Sequence, residues 1–376
     1  MHLQISIPFD PHVDENALLE SVSARPAVFA LHLVDAAEGS KAPPYLGRTM
    51  NLRRRLGRLL SKSSGVSKLL NLRQIIRQIE YQYVGSAFEA QWLLYSLNRF
   101  YYAQLYRQRL RLKPPALLKL NLHNRYPRCY PTRRLSGDRS LYYGPFPSRL
   151  AAERFAAEFL DLFKMRRCVE DLHPDPSHPG CIYSQMHMCL APCFAGCTDD
   201  EYQQEVTRVA AFLDAEGQSL LRSLEAERAQ TSEALEFEQA ARLHRRLEKV
   251  HEVLRQKPGL VRSLRDFHAV LVLRGAEAKS VVFFRVWAGE LRGPTDLSLD
   301  ENIPSPVSLD QQLHALLDPL AAPRHSTAAP PPWEHLSLLA RWYYSSFRQG
   351  ELLMLPPNQE IPHARLIRLC RKVLAE

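Results

Sequence analysis

Four of the seven cysteines fall in one short segment, and their spacing is the feature of the sequence with the clearest chemistry. They are separated by 12, 7 and 3 residues and are Cys168, Cys181, Cys189 and Cys193. The segment is rich in proline and glycine, so it cannot bury much apolar surface and something else must order it. Thiolates that converge on one metal centre would do so, and Cys197 would then be a bystander. The spacing alone does not separate zinc from iron–sulfur.

Clustered cysteines are also compatible with disulfides, but nothing else in the chain indicates an oxidising compartment. Apolar residues make up 45% and charged residues 24% of the 376 residues, as in ordinary soluble proteins with two or three domains. No apolar run approaches the ~18 residues of a membrane-spanning helix. The first residues lack the pattern of a signal peptide. We therefore expect a cytoplasmic protein without membrane contact.

Positive charge is concentrated in one part of the chain. Residues 48–140 hold 20 Lys and Arg against three acidic residues, a local charge of +17, whereas the whole chain carries +9. The rest of the chain is therefore acidic. A basic region joined to an acidic one predicts that the first meets a polyanion such as nucleic acid, although a run of charge is also typical of a solvated face.

The apolar pattern predicts the elements that position these residues. In the first 112 residues the order is strand, strand, helix, strand, helix, at 22–35, 44–47, 51–60, 75–84 and 86–112. This order predicts a compact mixed α/β domain. The last helix is rich in aromatic residues, most of which we expect in the core.

The remaining elements are less regular. Residues 113–140 are extended and basic, and LYYGPFPS within 141–148 is typical of a turn-rich aromatic loop. An amphipathic helix is predicted at 150–163. Helical spacing then runs from Asp199 to about Ala229, and a second helix completes an αα-hairpin. The last third predicts a β-hairpin or meander at 266–290, a Pro/Ala-rich linker, and helices at 333–347 and 362–374.

Several of these segments together resemble the UvrC family of the excinuclease ABC system, the incision proteins of bacterial nucleotide excision repair. PAVFALH and PYLGRTMNLRRRL are similar to the two halves of the GIY-YIG nuclease motif. YPRCYPTRRL and LYYGPFPS resemble the segment that follows the nuclease in this family. The four-cysteine run, including MCLAPC, resembles the family's cysteine cluster, and SEALEFEQAARLHRRLEKV resembles the UVR motif. The order and spacing agree from about residue 22 to 285.

Residues 263–376 show neither the second, RNase H-like nuclease of the family nor its helix-hairpin-helix modules, so the resemblance is to a short form. It implies an α/β fold with a GIY-YIG-like domain, a cysteine-rich metal module, a UVR α-hairpin and a C-terminal α/β region. The boundaries that we assign are 1–21 for an N-terminal extension, 22–112 for the GIY-YIG-like domain, 113–167 for a basic linking segment and helix, 168–198 for the cysteine module, 199–260 for the helical region with the hairpin, 261–302 for a β-rich segment, 303–332 for the linker and 333–376 for a helical C-terminus.

For the nuclease-type domain the resemblance implies tyrosines that handle the attacking water, an arginine for the phosphate and a glutamate for one Mg²⁺ or Mn²⁺. The matched catalytic positions that are retained are Tyr45, Arg48 and Arg55. The first tyrosine falls on Phe29, which has no hydroxyl, and the metal-binding glutamate falls on Leu94. Glu89 is the possible substitute ligand, but five positions along a helix turn it about 140° away from Leu94.

The resemblance also implies a cofactor and partners. An iron–sulfur cluster, with zinc as the alternative, would be held by Cys168, Cys181, Cys189 and Cys193. Damaged double-stranded DNA would contact the cationic residues Arg53, Arg54, Arg58, Arg133 and Arg134. A UvrB-like helicase subunit would bind the hairpin through Leu235, Phe237, Ala240, Ala241 and Leu243.

Three functions therefore stay open. The first is a DNA-repair protein of the UvrC type whose nuclease domain now mainly binds DNA. The second is an active structure-specific endonuclease, of the 3′-incision type, with a rearranged metal ligand such as Glu89. The third is a metal-stabilised adaptor with little DNA affinity.

Overall fold

The computed structural model describes residues 2–34, 42–61, 71–170, 172–300, 307–317, 331–355 and 362–375. Within these ranges the chain forms three four-stranded antiparallel sheets with helices packed on them, so the predicted α/β class is confirmed. The predicted linker at 303–332 lies mostly outside the described residues, as do residues 35–41, which contain part of the insertion between the two halves of the GIY-YIG-like motif. No helix in the described ranges is long and apolar enough to cross a membrane.

The first sheet has the strand order β1-β4-β2-β3. Its strands are β1 (Ile5–Pro8), β2 (Ala27–Leu33), β3 (Tyr45–Thr49) and β4 (Ile76–Tyr83). Helices α1 (Glu15–Glu20) and α2 (Leu52–Leu59) cover one face, and α3 (Ala87–Tyr101) covers the other. The segment 1–21, set apart by its sequence as an extension, thus supplies an edge strand and a helix to this sheet.

Helix α3 is shorter than its sequence predicts. It begins at Ser86, whose hydroxyl accepts a hydrogen bond from the Glu89 amide at 3.2 Å, and ends at Tyr101. A separate short helix, α4 (Tyr106–Arg109), follows. Two aromatic residues of α3 pack against another sheet, because Phe88 and Trp92 contact Phe284 with ring centroids 5.1 and 5.9 Å apart.

The middle sheet has the order β6-β5-β7-β8. Its strands are β5 (Ala116–Leu120), β6 (Cys129–Thr132), β7 (Leu141–Phe146) and β8 (Arg262–Ser263). The prediction of an aromatic loop at 141–148 is wrong for its first six residues, since all of β7 is buried between β5 and β8. Ser148 then caps α5 (Arg149–Leu160), which packs on this sheet.

Three helices follow where the sequence predicts two. They are α7 (Asp199–Asp214), α8 (Gln218–Glu233) and α9 (Phe237–Gln256), after a short α6 (Ile182–Gln185) in the cysteine segment. The break falls at Gly217, whose φ of 89° favours glycine, and a Cβ there would lie 2.4 Å from Leu254 Cδ2. Helices α8 and α9 form the predicted hairpin, and its apolar side joins the core of the middle sheet through Leu247 and Val250.

The third sheet has the order β11-β10-β9-β12. Its strands are β9 (His268–Arg274), β10 (Ser280–Trp287), β11 (Glu290–Ser298) and β12 (Glu351–Leu355), with helices α10 (Leu309–Leu317), α11 (Trp333–Tyr343) and α12 (His363–Ala375). The predicted meander is formed by β9, β10 and β11, whereas the sequence predicts no strand at β12. Alternate residues of β9 face opposite sides, so Leu271 packs towards α3 and α11 while Val272 packs towards α12.

Candidate functional site

The nuclease-type site centres on a tyrosine and an arginine that the fold brings together. Tyr45 begins β3, and Arg55 lies on α2, the helix that follows. The Asn51 side chain starts this helix by accepting a hydrogen bond from the Arg54 amide at 2.9 Å. One turn later the Arg55 guanidinium (Nη2) donates to the Tyr45 hydroxyl at 3.0 Å. Two groups that could position a phosphate are therefore preorganised.

The position matched to the first catalytic tyrosine is a packing position. Phe29 lies opposite Gly47 in the β2–β3 pair and is fully buried, with its ring centroid 6.2 Å from that of Tyr45. A Cβ at Gly47 would come within 2.5 Å of Phe29 Cζ, so the ring occupies the space above this glycine. The side chain at position 29 adds apolar contact and no proton-transfer group.

The two candidate metal-ligand positions lie on α3, on the opposite face of the first sheet. Leu94 packs, partly buried, against the apolar cluster that contains Val28 and Ala30. Glu89 is 2% exposed, and its carboxylate (Oε2) accepts a hydrogen bond from the Gly85 amide at 3.0 Å. Burial, and secondarily the charge of Asp296 on β11, raises the Glu89 pKa to about 7. The Glu89 carboxylate is therefore hydrogen-bonded at the N-terminus of α3, near the third sheet.

The arginines predicted to contact DNA lie on two different sheets. Arg54 and Arg58 are exposed on α2, and Arg53 is exposed too but donates through Nε to the Val22 carbonyl at 2.7 Å. Arg48 is exposed on β3 and, being paired with Val28, belongs to the α3 face. The other two, Arg133 and Arg134, are exposed just after β6 of the middle sheet.

The cysteine segment has almost no core of its own. Among its described residues from 168 to 197, only Ala191 and Pro192 are buried. The non-glycine residues His187, Ala191 and Ala195 have φ values of 55°, 59° and 58°. Left-handed backbone at such residues costs about 1 kcal/mol or more each and persists only where the surroundings enforce it. The loop therefore depends on contacts other than apolar burial.

The four predicted ligands lie within electrostatic reach of one another. Burial raises the pKa of Cys189 to about 11, and the charges of Cys168, Cys181 and Cys193 raise it further in the same direction. The Cys189 sulfur accepts a hydrogen bond from the Ala191 amide at 3.3 Å. In the described part of the chain, no three His, Cys, Asp or Glu side chains are gathered into a site for a single metal ion. Four thiols are the donor set that the sequence predicts for a thiolate-bound metal centre.

A buried arginine holds the start of this loop, and sequence reasoning missed it. Arg166 is 1% exposed and donates to the Tyr126 carbonyl at 2.9 Å, to the Glu170 carbonyl at 2.9 Å and to the Cys168 sulfur at 3.4 Å. It thereby ties the first cysteine to the middle sheet. The only signal in the sequence is an arginine two residues before that cysteine.

The hairpin presents apolar side chains at its tip. Leu235, in the turn, and Phe237, at the start of α9, are both 69% exposed. Further along α9, Ala240 is half-buried, Ala241 is exposed and Leu243 is buried in the core. Leu243 therefore holds the hairpin on the middle sheet, whereas Leu235 and Phe237 are available for contact with a partner.

A Tyr–Arg pair on a small α/β sheet, a four-cysteine loop and an exposed hairpin tip form the arrangement that the excinuclease resemblance implies. Residues 116–212, from β5 through the cysteine loop into α7, match the UvrC/Cho excinuclease middle domain. This match and the relatives below support membership of the UvrC family.

Two curated relatives show how much of their length this chain covers. It is 30% identical to UvrABC system protein C of Serratia proteamaculans over 64% of the chain and 38% of that protein. It is 28% identical to UvrABC system protein C of Proteus mirabilis over 81% of the chain and 48% of the relative. The chain thus spans less than half the length of these relatives. No solved structure gave a significant match.

Replacing Glu89 by glutamine should remove a pH-dependent cost of folding. The folded-state pKa of about 7 exceeds the ordinary value of 4.5. Between these pH values the folded protein therefore binds more protons than the unfolded chain, and its free energy of unfolding falls as the pH rises towards 7. We expect Glu89→Gln to be more stable than wild type at pH 8 by up to about 3 kcal/mol, with the difference vanishing near pH 4.5. Urea unfolding at several pH values measures this.

Glu225 is exposed on α8, so Glu225→Gln is the matched control for this experiment. Its stability should vary with pH as that of the wild type does. Identical pH profiles for wild type and Glu89→Gln would show that the Glu89 carboxylate is not held in a desolvated position.

Proposed function

We propose that this protein acts in nucleotide excision repair as a DNA-binding member of the UvrC family whose GIY-YIG-like domain has lost its cutting chemistry. One observation carries the proposal. The Tyr45–Arg55 pair is intact, while Phe29 and Leu94, at the positions matched to the other tyrosine and the metal ligand, are apolar and packed.

The binding half rests on charge and preorganisation. Arg54 and Arg58 project from α2, the helix that also carries Arg55, so one helix offers three cationic groups to a phosphate backbone. Neutralising phosphates releases counterions, which gives affinity without sequence preference. A protein that recognises distorted rather than specific DNA needs this kind of contact.

The catalytic half lacks its reacting groups. A metal at such a site neutralises charge that develops on the phosphate, which is worth several kcal/mol of transition-state stabilisation. Leu94 offers no oxygen to hold it. A missing proton-transfer group costs about two orders of magnitude more. The domain therefore binds and orients a phosphate through Arg55 and Tyr45 and does not cleave it.

The endonuclease and adaptor alternatives have less support. An active enzyme would need Glu89 as its ligand, yet this carboxylate is bonded to the Gly85 amide beside the third sheet. An adaptor without DNA affinity would leave the exposed arginines of α2 without a role.

DNA binding should depend on the exposed arginines on both faces of the first sheet. We expect the triple variant Arg48→Gln, Arg54→Gln, Arg58→Gln to bind a lesion-containing duplex about tenfold or more weakly, and the slope of log Kd against log salt to fall by about 2 to 3. Arg53 is left in place because it braces the Val22 carbonyl. Fluorescence anisotropy over a salt series measures both quantities.

The control is Arg365→Gln, Arg368→Gln, Arg371→Gln, which removes the same charge from exposed positions of α12. An equal loss of DNA affinity in this variant would show that only the net charge of the protein matters. Undetectable DNA binding by the wild type would favour the adaptor function.

We also propose that the four-cysteine loop holds an iron–sulfur cluster, with zinc as the alternative. A single zinc ion at 2.3 Å from four sulfurs requires them to lie about 3.8 Å apart, whereas a cubane separates its thiolates more widely. The resemblance of the cysteine run to the family's cysteine cluster favours the iron–sulfur cluster over zinc, and the four thiols lie close enough to influence one another. Bound there, the cluster would supply a cross-link, and the Arg166 and Ala191 N–H groups would stabilise its thiolate ligands.

Metal content tests this assignment. Protein purified anaerobically should be brown and contain iron and acid-labile sulfide. Cys193→Ser should lose the metal and weaken the loop, whereas Cys197→Ser should retain it. Colourless protein with one zinc per chain would mean that the same cysteines bind zinc instead of an iron–sulfur cluster. Wild-type protein with neither metal would refute the site.

Docking on a UvrB-like helicase subunit is the remaining part of the proposal. Two large apolar side chains at the tip of a helical pair, both 69% exposed, are suited to an apolar anchor in a partner's groove. The turn places them at the end of α8 and α9 that is farthest from Val250 and Val253, where the hairpin joins the core.

Truncation of Phe237 should separate docking from folding. We expect Phe237→Ala to weaken binding to the helicase subunit about tenfold or more while Tm and DNA affinity stay at wild-type values. The exposed Lys249→Ala on α9 should change none of these. A lower Tm for Phe237→Ala would instead mean that the ring stabilises its own hairpin. Calorimetric titration and thermal unfolding give both readouts.

A further inference from the structure

A cationic groove lies where the middle sheet meets the C-terminal helix α11. Its volume is about 300 Å³. Its cationic walls come from three separate segments and are Lys113, Arg133 and Arg341. None of the side chains that the structure places around this groove is acidic. All three cationic side chains are exposed.

The groove is built by fixed hydrogen bonds between side chains and backbone. The Ser337 hydroxyl of α11 donates to the Lys113 carbonyl at 2.8 Å, and the Tyr344 hydroxyl donates to the Pro145 carbonyl at 2.9 Å. These bonds fix α11 against the entrance to β5 and against β7. Because Pro114, Pro115 and Pro147 form part of the walls, the backbone there is also restricted.

Both arginines are anchored and can still bind an anion. One guanidinium N–H of Arg133 donates to the Pro114 carbonyl at 3.1 Å, and one of Arg341 donates to the Arg111 carbonyl at 3.4 Å. A guanidinium has five N–H donors, so one such bond leaves others for a ligand. Ser148, which caps the 12-residue helix α5, also lines the groove, so the positive end of that helix dipole adds to the field.

An exposed aromatic ring follows the last groove residue in the chain. Three residues after Tyr344, Phe347 is 91% exposed. Its loop is held down on both sides of the ring, because the Trp342 indole donates to the Gln349 carbonyl at 3.0 Å and the Arg348 guanidinium lies 4.9 Å from the Tyr343 ring centroid. An exposed phenyl ring next to Arg348 in the chain is suited to stacking on a nucleobase.

We infer that this groove binds the phosphate backbone of DNA, with Lys113, Arg133 and Arg341 contacting phosphates and Phe347 stacking on an exposed base. The inference rests on the proposed DNA-binding function and gives the C-terminal region a part in it. It places a second DNA contact on the middle and third sheets, separate from the arginines of α2.

The test compares two variants of equal charge in the full chain. The groove variant is Lys113→Gln, Arg133→Gln, Arg341→Gln, and the control is the α12 triple glutamine variant. We expect the groove variant to bind a lesion-containing duplex about tenfold or more weakly than the control, with the slope of log Kd against log salt lower by about 2 to 3. Phe347→Ala should weaken binding to single-stranded DNA at least about fivefold.

Equal affinity and slope in the groove and control variants would overturn the inference while leaving the α2 surface intact, and an unchanged Kd for Phe347→Ala would overturn the stacking contact. Absence of DNA binding by the wild type would overturn the proposed function together with this inference. If the groove variant is unfolded, the wild type provides the test. Bound DNA should then protect Lys113 from chemical acetylation, and exposed Lys249 serves as the unprotected reference. Equal acetylation of Lys113 with and without DNA would refute the contact.

Discussion

Helix α3 is buried on two sides, and much of the molecule depends on that burial. One side places Leu93 and Leu97 on the first sheet, and the other places Phe88, Trp92 and Tyr95 on the third. Burying each such side chain stabilises the fold by about 2 to 3 kcal/mol. The Trp92 indole also donates to the Gly293 carbonyl at 3.0 Å, so a hydrogen bond joins the two layers. The first sheet and the C-terminal region are therefore packed together through one helix.

This packing limits what α3 can offer to chemistry. The helix presents apolar residues to two layers, and Leu94 serves the cluster against the first sheet. Its one acidic residue near the site, Glu89, is drawn into the junction with the third sheet, where desolvation raises its pKa. Tyr45 and Arg55 escape this constraint because they belong to the opposite face, which is covered by the shorter helix α2. The proposed loss of the metal ligand at position 94 and the proposed phosphate binding by Tyr45 and Arg55 are consistent with this division.

The local elements of the first domain were predictable from sequence, and the long-range ones were not. A continuous apolar run after Pro26 marks β2, and Asn51 before an arginine-rich periodic run marks α2. In contrast, Gly144 and Pro145 made β7 resemble a loop, although its pairing with β5 and β8 buries it throughout. Strand β12 is defined only by its pairing with β9 across the intervening helices. The break between α7 and α8 did have a signal, since Gly217 is the only glycine in that helical run.

The candidate site divides in the same way. The family resemblance locates Tyr45 and Arg55, and the spacing of the cysteines locates the four-cysteine loop. Arg166 and the groove around Lys113 depend on partners from distant segments, so no local pattern indicates them. The central claim is that phosphate binding persists without cleavage. The most direct measurement follows nicking of lesion-containing duplex DNA in Mg²⁺ or Mn²⁺ at protein concentrations that saturate binding. The account predicts bound but intact DNA, and metal-dependent nicking that Arg55→Ala abolishes would contradict it.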